Sequence, residues 1–175
     1  NVVKEEEFDF YSARFLYHTL KTLSENKKNI SIALSGGATP LPILSLLKDY
    51  ELNWEYFNFF MVDERNVLTS NPSSNFGNIE KVFFKNINSF GYPMINENYS
   101  IEDCVINYEK LMCSKIALSK NCLPVFDLIL LGIGDDGHTA SLFPDTKGLN
   151  ESEKMVIKNS VPQLNTDRIT LTFPV

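Results

Sequence analysis

The sequence predicts an α/β fold in which a mostly parallel sheet lies between layers of helix. Three observations point there. Apolar runs of strand length alternate along the chain with stretches of helical periodicity. Two of those runs, 57–62 and 126–131, are apolar at almost every position, as in strands covered on both faces. No internal repeat and no Pro-, Gly- or Ser-rich linker divides the 175 residues, a length suited to one domain.

Each element has its own signal. Residues 8–23 place Phe8, Tyr11, Phe15, Leu16, Leu20 and Leu23 at helical spacing among Lys and Glu. Residues 29–34 form a short apolar run between Lys27-Lys28 and Ser35-Gly36-Gly37, which reads as a buried strand. Thr39 is expected to cap a helix that starts near Pro40 and runs to about Tyr50. The strand 57–62 ends at Asp63-Glu64-Arg65. A turn-rich stretch, 70–74, then precedes a helix over about 76–84, and 86–100 is rich enough in Asn, Ser, Gly and Pro to predict irregular chain. The longest helical pattern, 101–118, sets Ile101, Val105, Tyr108, Met112 and Ile116 near one face. A third buried strand, 126–131, ends at Gly132, and 155–158 and 168–173 are further strand candidates. The sum is a three-layer, Rossmann-like α/β domain over 1–175. Because the chain stops directly after a strand-like run, that domain is expected to be truncated at its C-terminus.

Composition narrows the function. Hydrophobic residues make up 43% and charged residues 22%, which excludes disordered and fibrous classes. Sixteen Lys and Arg against 22 Asp and Glu give a net charge of -6, which argues against a nucleic-acid surface. No apolar stretch is long enough for a membrane-spanning helix. Three cysteines without a C-x-x-C pair read as free thiols of a reducing compartment and not as a zinc site.

In a parallel sheet, ligands collect beyond the carboxyl ends of the strands, so three strand ends deserve weight. The first, Ser35-Gly36-Gly37-Ala38-Thr39-Pro40, joins two glycines to a helix N-terminus. That pairing suits a phosphate or carboxylate, although a tight turn needing only glycine's flexibility has the same appearance. No Lys stands where a Walker A loop demands one. The second, Asp63-Glu64-Arg65, offers a guanidinium fork for phosphate, with two carboxylates to support it or to move protons; a solvated charge cluster is the alternative.

The third strand end runs from Gly132 to Pro144 and contains Gly132-Ile133-Gly134-Asp135-Asp136-Gly137-His138. It formally matches the dinucleotide fingerprint G-x-G-x-x-G. Asp135 and Asp136 would repel a pyrophosphate, the motif lies late in the chain, and no strand ending in an acid follows at the required distance. What remains is a glycine-lined turn presenting His138 beside Asp136, a natural general base with a carboxylate to orient it. His18, by contrast, sits among Leu16, Tyr17 and Leu20 without polar company and reads as packing or surface.

Ser35 to Pro40, Val62 to Arg65, Ser74-Asn75 and Gly132 to Pro144, in this order, resemble the 6-phosphogluconolactonase family within the glucosamine-6-phosphate deaminase/isomerase superfamily. The resemblance spans 29–173 and includes the stretch from Asp167 to Thr172. The chain departs from the family at Asp145, where a Gly often follows Leu-Phe-Pro, and through 86–100, which aligns with nothing in it. It also lacks a later Gly-x-x-Lys stretch of the family. The resemblance implies hydrolysis of 6-phospho-D-glucono-1,5-lactone in the oxidative pentose phosphate pathway, no cofactor, no metal and a cytoplasmic home. It further admits fusion to glucose-6-phosphate dehydrogenase, as in apicomplexan parasites.

On this reading His138 is the base that activates water and Asp136 orients it. Gly36, Gly37, Thr39 and Arg65 hold the 6-phosphate with Arg168 as an additional cation, Asn75 binds the sugar or fixes its loop, and Asp63 and Glu64 lend support. Ser35 and Ser141 lie outside any G-x-S-x-G, which disfavours a covalent route. Two rivals stay open: a deaminase/isomerase of the same superfamily and a non-catalytic sugar-phosphate sensor. Deaminases resemble this chain through His138 but typically continue with Phe-Asn-Glu-Pro, where this chain has Ser141-Leu142-Phe143-Pro144.

Overall fold

The computed structural model describes residues 4–175. Helix α1 (Phe8–Asn26) leads into β1 (Ile30–Leu34), α2 (Pro40–Leu47) and β2 (Phe57–Met61). Strand β3 (Asp63–Arg65), α3 (Asn75–Val82), β4 (Phe90–Tyr92), α4 (Ile101–Lys115), β5 (Leu128–Leu130), β6 (Val156–Val161) and β7 (Thr166–Leu171) follow. The strands form two sheets. A four-stranded sheet in the order β4-β2-β1-β5 is parallel throughout, and a three-stranded sheet in the order β3-β7-β6 is antiparallel.

Alternation along β2 places helices on both faces of the parallel sheet. Phe57 and Phe59 point to one side and meet Trp54 and Phe83, while Phe60 points to the other and meets Tyr108 of α4. This is the expected three-layer arrangement. Tyr108 also joins the layers by hydrogen bonds: its hydroxyl accepts from the Met61 amide at 2.7 Å and donates to the Met61 carbonyl at 3.2 Å. Tyr108→Phe would remove both of these hydrogen bonds from the core. A loss of about 1–3 kcal/mol in a urea unfolding experiment is expected, with the fold retained.

Several elements differ from their sequence signals for definable reasons. The buried stripe of α1 is Ala13, Leu16 and Leu20, whereas Phe15 lies off that stripe and is 70% exposed. Thr39 is itself helical in backbone and makes no side-chain cap, so Pro40 alone marks the start of α2. The caps that form are at Ser74 and Ser100, whose hydroxyls accept from the Gly77 and Asp103 amides. Strand β4 lies inside the stretch expected to be irregular, paired to β2 through Asn58, Phe59 and Phe60. Strand β5 is an edge strand bonded to β1 and is only partly buried, with Ile129 and Leu131 exposed. Finally, Asp63-Glu64-Arg65 continues as a strand, because β7 pairs with it residue for residue.

Candidate active site

The switch from the parallel to the antiparallel sheet at Val62 builds the site. Val62 is shared: its amide donates to Leu34 of β1 and its carbonyl accepts from Leu171 of β7. The antiparallel register then sets Arg65 directly opposite Arg168. Like charges facing each other across strands are unfavourable. Neither arginine forms a salt bridge among the described residues, and the Nε of each is buried without an acceptor. Arg65 Nη1 donates to the Ser73 carbonyl at 2.6 Å. Burial, and then the charge of Arg65, make the Arg168 guanidinium easier to deprotonate than usual. A pair of under-compensated guanidiniums has the charge and the donors to suit a multiply charged oxyanion.

The two acids beside Arg65 have separate structural duties. Glu64 is buried, and its carboxylate accepts from the amides of Arg65, Asn75 and Phe76 and from the Ser74 hydroxyl, at 2.7–2.9 Å. It therefore neutralises the positive end of α3, and its acceptor sites are spent on the fold. Asp63 is buried and joins the loops: it accepts from the Ser141 hydroxyl at 2.5 Å, and Asn75 Nδ2 donates to its carbonyl at 3.0 Å. Burial pushes both carboxyls above their usual range. For Asp63 the Ser141 hydrogen bond and the charges of Arg168, Arg65 and His138 oppose that rise.

Asn75 in turn abuts the first loop. A side chain at Gly36 would collide with it, 2.1 Å from Asn75 Cγ, so only glycine fits there. Asn75 Oδ1 and Ser35 Oγ are buried without a hydrogen-bond partner. Together with the two arginine Nε atoms they are the unsatisfied buried side-chain atoms among the described residues. Gly37 has φ 95° and faces open space. Thr39 is exposed, and its hydroxyl makes no hydrogen bond among the described residues. The structure thus joins Gly36 to the site through Asn75, while nothing in its contacts ties Thr39 there.

The loop after β5 is a closed turn. The Gly134 amide donates to the His138 carbonyl at 2.8 Å, and the Gly137 amide to the Gly134 carbonyl at 2.9 Å. No helix follows it directly, unlike a dinucleotide loop. Asp136 Oδ1 lies 2.5 Å from His138 Nδ1 and also accepts from the His138 amide at 3.1 Å. The bond to the imidazole holds the Asp136 carboxyl below its usual range. With Nδ1 engaged by a carboxylate, Nε2 is the nitrogen left to take a proton. Ala140, at φ 52°, forces the turn that buries Ser141, and Asp145 has φ 62°. Asp145 thus sits in the left-handed region, which Gly adopts freely and Asp tolerates.

Sequence reading missed the groups that hold this loop. Thr170 Oγ1 accepts from the Ser141 amide, and Asn159 Nδ2 donates to the Ser141 carbonyl and to Thr146 Oγ1. Both side chains lie on β7 and β6, whose register no local pattern reveals. Ser141 is fully buried with its hydroxyl bound to Asp63, which agrees with its rejection as a nucleophile. His18 lies on the surface.

The family described as glucosamine-6-phosphate isomerases/6-phosphogluconolactonase matches residues 4–175. The chain belongs to that family. It is 36% identical over 146 residues to 6-phosphogluconolactonase of Chlamydia pneumoniae, covering 82% of this chain and 54% of that protein. It is 32% identical to the GDH/6PGL endoplasmic bifunctional protein of Oryctolagus cuniculus, covering 82% of this chain and 19% of that one. The crystal structure of Thermotoga maritima 6-phosphogluconolactonase superposes with a TM-score of 0.86 at 28% identity, covering 98% of this chain and 76% of that structure. The chain spans between about half and two thirds of the length of the curated 6-phosphogluconolactonases from Chlamydia pneumoniae, Synechocystis and Thermotoga. Among the described residues, no helix is long and apolar enough to cross a membrane.

Proposed function

We propose that the protein hydrolyses 6-phospho-D-glucono-1,5-lactone to 6-phosphogluconate. The observation that carries this reading is the Arg65–Arg168 pair, which forms no salt bridge among the described residues, on strands β3 and β7, whose Asp63 and Thr170 bond Ser141 of the loop that carries the His138–Asp136 couple. One half of the site suits a phosphate and the other suits hydrolysis. Membership of the family and the names of the relatives agree with it.

In the proposed reaction the phosphate rests between the two guanidiniums, with the Gly36 and Gly37 amides and Thr39 at its edge. Asn75 fixes the sugar side of the loop. His138 Nε2 takes a proton from water as the oxygen attacks C1 of the lactone. The tetrahedral oxyanion collapses, the bond from C1 to the ring oxygen breaks, and the imidazolium returns its proton to that oxygen. The products are a hydroxyl and a carboxylic acid, which releases its proton to solvent to become the carboxylate, so no other reactant is needed. Asp136 holds the tautomer and stabilises the imidazolium. Asp63 ties the arginine strand to the His138 loop, and Glu64 supports it from the start of α3. Free Cys104, Cys113 and Cys122 support a reducing, cytoplasmic setting, and the bifunctional relative supports fusion to a dehydrogenase as a possible arrangement.

A deaminase needs a second acid for ring opening, and the residues after Ser141 are the buried, apolar Leu142 and Phe143. Purified protein is therefore expected to accelerate hydrolysis of freshly generated 6-phosphogluconolactone and to release no ammonia from glucosamine 6-phosphate. Ammonia release that disappears in His138→Ala would establish the deaminase instead, and binding without turnover of either compound would establish the sensor.

Gly134 gives a separate check. A Cβ there would lie 2.2 Å from His138 Cε1 and 2.3 Å from Nδ1, so the ring must move. Gly134→Ala should lower kcat by about 10²-fold, the scale of a misplaced reacting group. Its melting temperature should stay close to wild type, since the turn is on the surface. Unchanged turnover would show that the observed ring position is not the working one.

A further inference from the structure

We infer that Phe143 is a positioning residue serving both halves of the site, its ring fixing the plane of the His138 imidazole and backing the Arg168 guanidinium. The inference rests on the reading of His138 as base and Arg168 as anion ligand. The Phe143 and His138 rings are stacked, with centroids 3.9 Å apart and planes 22° from parallel. The Arg168 Cζ lies 5.9 Å from the centroid of the same Phe143 ring. Phe143 is buried at 7% exposure.

The stack supplies what the Asp136 bond cannot. A hydrogen bond at Nδ1 selects the tautomer but leaves the imidazole free to swing about that contact. A flat neighbour removes the swing and keeps Nε2 aimed in one direction. For Arg168 the aromatic ring has a second merit. A carboxylate in its place would neutralise the guanidinium and compete with the incoming phosphate, whereas a ring face holds the cation and leaves its charge available.

Phe143 is itself held by its backbone. Its carbonyl accepts from the Thr146 hydroxyl at 2.7 Å and the Thr146 amide at 3.2 Å. That hydroxyl accepts from Asn159 Nδ2 at 2.9 Å, and Asn159 is only 2% exposed. The backbone that carries the ring is thus anchored from β6.

The test compares Phe143→Leu, which keeps an apolar side chain without a ring, with Phe143→Tyr, which keeps the ring. Both are made in the protein carrying His18→Gln, so that His138 is the single histidine seen by NMR. Phe143→Leu should lower kcat on 6-phosphogluconolactone by about 10–100-fold and raise KM several-fold. Phe143→Tyr should restore kcat to within a few-fold of the parent. The His138 ring protons should be shifted upfield by ring current in the parent and in Phe143→Tyr, and should return towards free-histidine positions in Phe143→Leu. If Phe143→Leu does not fold, Phe143→Met takes its place as the ringless variant. Turnover within two-fold of the parent in a folded ringless variant would overturn the proposal, as would unshifted His138 protons in the parent. Should the parent hydrolyse no lactone, the functional reading falls. The NMR arm, with inorganic phosphate titrated against both variants, then still decides whether Phe143 positions His138 and Arg168.

Discussion

Replacing His138 with Ala is expected to lower kcat by roughly 10²–10⁴-fold, the usual loss on removing a general base, while the sugar phosphate still binds. The expectation follows from the loop's own geometry. Nδ1 is engaged by Asp136 at 2.5 Å, so Nε2 is the free nitrogen, and the ring is stacked against Phe143. The neighbouring acids are unsuited to replace it. Asp63 is buried beneath Ser141, and Glu64 is spent on the amides at the start of α3. The arginines proposed to hold the phosphate lie on β3 and β7, apart from the imidazole, so KM should change little. Initial rates of lactone hydrolysis, corrected for the spontaneous reaction, measure both constants. Wild-type turnover in a well-folded His138→Ala protein would remove the imidazole from the mechanism.

Arg65→Ala should act on the other constant. A charge-assisted contact to phosphate contributes about 1.5–3 kcal/mol, so KM for the phosphorylated lactone should rise by about one to two decades with kcat largely kept. The empty protein should tolerate the change, because Arg65 stands opposite Arg168 and the substitution relieves that repulsion while giving up one hydrogen bond to Ser73. Unphosphorylated gluconolactone provides the control. It lacks the group that Arg65 is proposed to hold, so its kcat/KM should be nearly indifferent to the substitution. An equal loss on both lactones would show that Arg65 maintains the loop and does not bind the phosphate.

The strand end and the glycine turn that carry the two halves of the candidate site were visible in the sequence, because each rests on a local pattern. A strand that ends in Asp63-Glu64-Arg65 and a glycine turn that ends in Asp136-Gly137-His138 announce themselves by residue type and spacing. The parallel sheet was legible for the same reason, since β1 and β2 are continuous apolar runs with turn residues behind them. The antiparallel sheet was legible only in part. Residues 155–158 and 168–173 read as strand candidates and overlap β6 and β7, but polar residues such as Asn159, Asp167 and Arg168 give no sign of the pairing of β7 with both β3 and β6. That pairing is also what sets Arg168 against Arg65, so the most informative feature of the site lies in a register that no window of sequence contains. Strand β4 was hidden in a similar way, being three residues long within a loop-like composition. Glu64 was left open in the sequence between supporting Arg65 and moving protons, and four hydrogen-bond donors claim it for the fold.

The central claim is that one site joins a phosphate receptor to a hydrolytic histidine, and the ratio of kcat/KM for phosphorylated over unphosphorylated gluconolactone tests it most directly. The purified protein should hydrolyse the phosphorylated lactone well above the spontaneous rate. It should favour that lactone by at least about 10–100-fold, the value of one charge-assisted contact at the arginine pair, and the preference should largely vanish in Arg65→Ala. Equal kcat/KM for the two lactones, or hydrolysis no faster than in buffer, would contradict the account.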